Sequence, residues 1–103
     1  MSIKSFRDLI VWQKGMDLAT LVYRETSRFP STERFGLTAQ IRGAAVSVPA
    51  NLAEGHERHA RGAHRRHVSI ALGSLAELDT HLELGLRLGY ERRGNHRAPR
   101  SAQ

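Results

Sequence analysis

With 103 residues, 40% hydrophobic and 25% charged, the chain has the length and composition of one globular domain and lacks the bias of a disordered or fibrous protein. The absence of cysteine excludes a disulfide framework and any thiolate metal site. The formal charge of +6 is uneven: residues 1–55 carry +2, residues 56–67 +3, residues 68–90 −2 and residues 91–103 +3, so the excess lies in the HERHARGAHRRH run and in the last stretch of chain. No apolar run approaches the roughly 18 residues of a membrane span, and the opening MSIKSFRDL is charged and polar, so a cytoplasmic protein with no membrane partner is expected.

Ser5, followed three residues later by Asp8, reads as a capping box, and Phe6, Leu9, Trp12, Met16, Ala19 and Tyr23 then recur at helical spacing. This predicts a first helix over about 5–29, stopped by Pro30. Leu37, Ile41, Ala44, Ala45, Val48 and Leu52 share one face of a second helix over about 38–54. Gly55 stands where a left-handed C-cap belongs, and Pro49 removes one backbone hydrogen bond inside the helix. A basic connection over 56–62 leads to Val68, Ala71, Leu75, Leu78, Leu82 and Leu86, the stripe of a third helix over about 63–88 with Gly89 as its cap. Leu72, Leu84 and Leu88 lie off that stripe, so helix three has apolar surface on a second side that another element or another chain must cover.

The fold class that follows is all-α, an antiparallel up-down bundle over 1–90. Residues 91–103, ERRGNHRAPRSAQ, have almost no apolar residue and no periodicity, and are expected to form a disordered basic tail.

Four polar residues accompany the apolar stripes of helices two and three: Asn51, Glu54, Ser74 and Glu77. No nucleophile stands with them at a catalytic spacing, so they read as a structural polar cluster, with Glu54 and Glu77 expected to bond across the interface to Ser47, Ser74 or Arg42. His56, His59, His64 and His67 form two H-x-x-H pairs. Helical i,i+3 spacing puts two imidazoles on one face, but no carboxylate at helical spacing from His64 and His67 completes a metal shell, and no metal or other cofactor is expected. Arg58, Arg61, Arg65 and Arg66 make the charge run a candidate nucleic-acid contact, because guanidinium groups pair bidentately with phosphate oxygens. The alternative for this run is a solvated loop on a protein-interaction module. No aromatic stacking platform or recognition motif is evident beside it.

FRDLIVWQKGMDLA at 6–19, FGLTAQIRGAAVSVPANLAEG at 35–55 and SIALGSLAELDT at 69–80 resemble, in order and separation, the family named for the 23S rRNA intervening sequence. The resemblance implies a short cytosolic four-helix bundle that assembles as a homopentamer and is no enzyme, with no small-molecule substrate. A related branch, the accessory protein of diversity-generating retroelements, implies RNA or DNA as a partner, and a ring would multiply weak arginine contacts into avidity. Two departures from the family stand out. Its fourth helix has no counterpart in 91–103, whose composition is that of a GC-rich gene read out of frame and points to a frameshift or an alternative end near Tyr90. His64 and His67 occupy positions where the family implies aromatic or large apolar residues.

Overall fold

The computed structural model describes residues 4–90. Ser5 forms the capping box: its hydroxyl accepts the Arg7 N–H at 3.0 Å, and the Asp8 carboxylate accepts the N–H groups of Ser5 and Lys4 at 3.1 and 2.8 Å. The box closes a single 3-10 turn, Phe6–Asp8, rather than the first helix itself. Leu9 returns to extended backbone, and α1 runs Ile10–Thr26, shorter at both ends than the periodicity predicts. Phe29 leaves the helix to reach α3, where a Cβ on Gly85 would meet its ring at 3.1 Å.

A second 3-10 turn, Ser31–Glu33, leads into α2, Leu37–Glu57, and after residues 58–60 the chain forms α3, Arg61–Arg87. Gly55 is therefore not a cap. It lies inside α2, and among the described residues only Gly89 has positive φ, at 82°. What requires a glycine at 55 is close packing: a Cβ there would lie 3.0 Å from the His67 Cβ and 3.4 Å from the His64 carbonyl oxygen. Gly89 does end α3, in a Schellman turn in which Tyr90 N–H bonds Gly85 C=O at 2.9 Å and Gly89 N–H bonds Leu86 C=O at 3.0 Å. Helix α2 runs through Pro49, which is buried and faces α1 at Gly15, where an added Cβ would touch the proline Cβ at 3.4 Å.

The helices pack antiparallel in sequence, α1 and α3 each against α2. Ala19, Val22, Leu37, Ile41, Ala44, Ala45 and Leu78 form the core, with Leu18, Phe29, Leu82 and Tyr90 packed on it. Small residues on α2 let both neighbours approach. Arg42 ties α1 to α2: its Nε donates to the buried Thr26 hydroxyl at 2.9 Å, its Nη2 to the Tyr23 carbonyl at 3.1 Å, and its guanidinium covers the Tyr23 ring at 4.6 Å. A cation at this position adds a further donor to the Tyr23 carbonyl, which also accepts the Ser27 N–H at 3.2 Å, and complements the dipole at the end of α1.

Among the described residues α1 and α3 make no backbone contact with each other, and an apolar groove runs between them over α2. One part, about 550 Å³, is lined by Leu9, Val11, Leu18, Val68 and Leu72 among others, and a second, about 250 Å³, by Leu18, Leu21, Phe29, Leu86 and Tyr90 among others. Its rims leave Val11, Leu21, Leu72 and Leu86 more than half exposed. The described residues thus form three helices and no strand, an all-α fold with one long face open. The tail expected over 91–103 lies outside the described residues. No helix among the described residues is long and apolar enough to cross a membrane.

Candidate nucleic-acid interface

The turn between α2 and α3 brings Arg58, Arg61, Arg65 and Arg66 to one end of the bundle, all on exposed positions. They are not equivalent. Arg58 Nη2 donates to Glu54 Oε2 at 2.9 Å, an i,i+4 pair on the last turn of α2. Arg61, Arg65 and Arg66 have no hydrogen-bond or ion-pair partner among the described residues. They occupy the first turns of α3, whose N-cap residue, Ala60, offers no side-chain cap and whose first turn has no acidic residue. The helix dipole favours anions at this position, so three cations here are unfavourably placed until an anion joins them.

Behind the arginines, α2 and α3 are joined by a row of polar contacts. Ser74 Oγ donates to Ser47 Oγ at 2.7 Å, and Asn51 Nδ2 donates to the same hydroxyl at 3.0 Å and to the Ser47 carbonyl at 2.8 Å. With its amide nitrogen so engaged, Asn51 presents Oδ1 to His67 Nδ1 at 2.9 Å, which makes Nδ1 the protonated nitrogen. His67 Nε2 then faces Glu54 Oε2 at 3.8 Å. One turn earlier, His64 Nδ1 donates to the Gly55 carbonyl at 2.9 Å. The Arg58 hydrogen bond, and after it the nearby His67, hold the Glu54 carboxyl below the usual range.

Of the four residues expected to form a structural polar cluster, Asn51 and Ser74 meet through Ser47, while Glu54 touches the row only through His67. Glu77 stands apart, 3.5 Å from His81 Nε2. Neither glutamate bonds Ser47, Ser74 or Arg42. Each immediately precedes a buried residue, Gly55 and Leu78, and so is turned about 100° around its helix from the packed stripe. Sequence reading named Ser47 as a partner, but of the glutamates and not of Asn51 and Ser74, and it missed His67, although Ser47 lies four residues before Asn51 and His67 seven before Ser74, both in helical phase. The histidines at 64 and 67 fill their positions by hydrogen bonding to α2, which replaces the apolar contacts implied there. Among the described residues no group of three or more His, Cys, Asp or Glu side chains is arranged to hold a metal ion.

No curated protein matches the chain. Residues 7–98 match the protein family described as 23S rRNA-intervening sequence protein, and that match continues past Tyr90, where the resemblance read from the three motifs ends. Since it spans most of the sequence, and the fold is helical with the three motif runs in α1, α2 and α3, the chain belongs to the 23S rRNA-intervening sequence protein family.

Proposed function

We propose that this protein is a non-enzymatic homo-oligomer, a pentamer of the kind the family resemblance implies, acting in the cytoplasm and binding RNA or DNA through phosphate contacts from Arg61, Arg65 and Arg66. The observation that carries the binding reading is the pairing difference within the basic run: Arg58 is held by Glu54, whereas the other three, at the start of a helix, have no ion-pair partner among the described residues. Guanidinium groups in that state have their full donor set available for phosphate oxygens. Self-association is supported by the groove between α1 and α3, whose rims leave Val11, Leu21, Leu72 and Leu86 more than half exposed, since contiguous exposed apolar side chains mark interaction surfaces. The polar row between α2 and α3 fixes register in this reading and takes no part in chemistry.

The groove also supports the second reading, a protein-interaction module without nucleic acid. Light scattering coupled to size exclusion, followed by retention of labelled RNA and DNA at increasing salt, tests both. Assembly with retention that falls steeply with salt supports the first reading, because each neutralised phosphate releases counterions. Assembly with no retention at low salt leaves the second, and a clean monomer at high micromolar concentration refutes the oligomer.

A further inference from the structure

Phe6 and Trp12 lie outside the core cluster, and neither the assembly nor the phosphate reading uses them. Their ring centroids are 5.2 Å apart in an edge-to-face arrangement, and both residues are only half-buried. The exposed Arg7 guanidinium stands over both rings, 5.5 Å from the Phe6 centroid and 5.6 Å from that of Trp12. Arg7 has no carboxylate partner among the described residues, since its neighbour Asp8 turns its carboxylate to the backbone N–H groups of Lys4 and Ser5.

Antiparallel packing sets this cluster at the same end of the bundle as the arginines of α3. Leu9 and Lys14 of the α1 region line one groove with His56 of α2 and His64 of α3. The molecule is 24 × 21 Å across its short axes, which bounds how far apart the helices that carry the rings and the arginines lie across the bundle at this end. Lys4, Arg7 and Lys14 on one side and Arg61, Arg65 and Arg66 on the other are all without a carboxylate side-chain ion pair among the described residues, against Asp8, which caps the first turn, Glu54, which pairs with Arg58, and Glu57 as exposed acids.

We propose that Phe6, Arg7 and Trp12 form a base-stacking platform, so that this basic end takes single-stranded nucleic acid in preference to duplex. The inference rests on the phosphate-binding reading of Arg61, Arg65 and Arg66. Every unpaired base has a π-face that stacks on an aromatic ring or a guanidinium plane, whereas the faces of duplex bases are already covered by their neighbours. A single strand therefore gains the rings in addition to the arginines, and a duplex gains the arginines alone. Phe35 provides an internal contrast. It is 87% exposed with Arg34 over its ring at 5.3 Å, but it belongs to the turn between α1 and α2, at the opposite end from the unpaired arginines.

Trp12 is the single tryptophan, so its fluorescence reports the platform directly. The full chain is titrated with an oligothymidylate, an oligouridylate, a duplex of equal length and heparin, a polyanion without bases, while anisotropy of labelled ligand reports binding independently. The single strands are expected to quench Trp12 and heparin to bind without quenching. Trp12→Leu should weaken single-strand binding about five- to hundredfold and leave heparin and duplex affinity as they were, and Phe35→Leu should change none of these. Binding of single strands and duplex with equal affinity and unaltered Trp12 emission overturns the platform but leaves the phosphate reading standing. Failure to bind any of the polyanions at low salt overturns both. Should Trp12→Leu not melt cooperatively, quenching by single strands compared with heparin in the unaltered protein decides the matter.

Discussion

The Tyr90 hydroxyl donates to Glu33 Oε2 at 2.7 Å, while Oε1 of the same carboxylate accepts the Leu37 N–H at 2.9 Å. One side chain thus caps the start of α2 and anchors the residue that follows α3. The Leu37 N–H, and after it Tyr90, hold the Glu33 carboxyl below its usual range; the Glu33 carboxylate, and after it burial, push the Tyr90 phenol up. A depressed carboxyl contributes stability above its ordinary pKa of about 4.3 and loses it as pH falls through the depressed value. A raised phenol contributes below its ordinary pKa of about 10 and loses it as pH rises through the raised value. Tyr90→Phe keeps the ring contact with Phe29, at 5.3 Å between centroids, and removes only the hydroxyl. Urea midpoints of the two proteins should differ most between these limits and converge in both acid and alkali. Parallel curves across the whole range would show that the bond contributes nothing.

Asn51→Ala should destabilise the fold by about 1–3 kcal/mol, the usual cost of leaving half-buried hydrogen-bonding groups unpaired. It removes the acceptor for His67 Nδ1 and one donor to Ser47 together. Ser74→Ala, which removes a single donor to Ser47, should cost less, about 1 kcal/mol. Denaturant melts of the two variants give the comparison, and an equal or reversed order would mean that the row is not connected as described.

Two glycines of α2 should respond to alanine with opposite signs. At Gly43 an added Cβ meets nothing within 4 Å, so Gly43→Ala should stabilise by about 0.5–1 kcal/mol through helix propensity. At Gly55 the same Cβ would lie 3.0 Å from the His67 Cβ, and Gly55→Ala should destabilise by about 1–3 kcal/mol, as overpacking does. If Gly55 were instead a cap, an alanine would strain the backbone without disturbing His67. The His67 ring resonances by NMR distinguish the two causes.

Within the basic run, replacement by glutamine should sort the arginines. Arg61→Gln, Arg65→Gln and Arg66→Gln should each weaken nucleic-acid retention and lower the slope of log affinity against log salt by about 0.7–0.9. Arg58→Gln should do less, because its guanidinium must first leave Glu54. Four equal slopes changes would remove the distinction between the paired arginine and the unpaired ones.

Val11 and Leu72 stand on opposite rims of the groove, 56% and 62% exposed. A glutamate at either position should leave the melting of α2 against its neighbours nearly unaltered, since neither belongs to the core, yet reduce the molar mass seen by light scattering. Retention of the assembled mass by both variants would place the self-contact elsewhere on the surface.

Periodicity, the Ser5–Asp8 pair and Gly89 were enough to specify three helices, a capping box and a C-cap, because each is a property of a few consecutive residues and their own backbone. The tertiary structure decided which groups meet. Gly55 could satisfy a left-handed cap or a close approach, and only the position of His64 and His67 on α3 selects the second. Glu54 and Glu77 are within one residue of the buried stripes, so a rotation of about 100° separates a carboxylate bonded across the interface from one in solvent, and that rotation is set by helix packing. The same holds for the basic run: Glu54 stands four residues before Arg58 and Glu57 four before Arg61, but only the first spacing falls within one helical stretch, because the helix breaks between α2 and α3, and only Arg58 is engaged. Of the three leucines read as lying off the stripe of helix three, Leu72 lines the open groove, together with Leu75 and Leu86 of the expected stripe, whereas Leu84 and Leu88 are not among its lining residues. The groove arises because α1 and α3 both seek the small-residue faces of α2, and two helices held apart by a third leave a groove along their length.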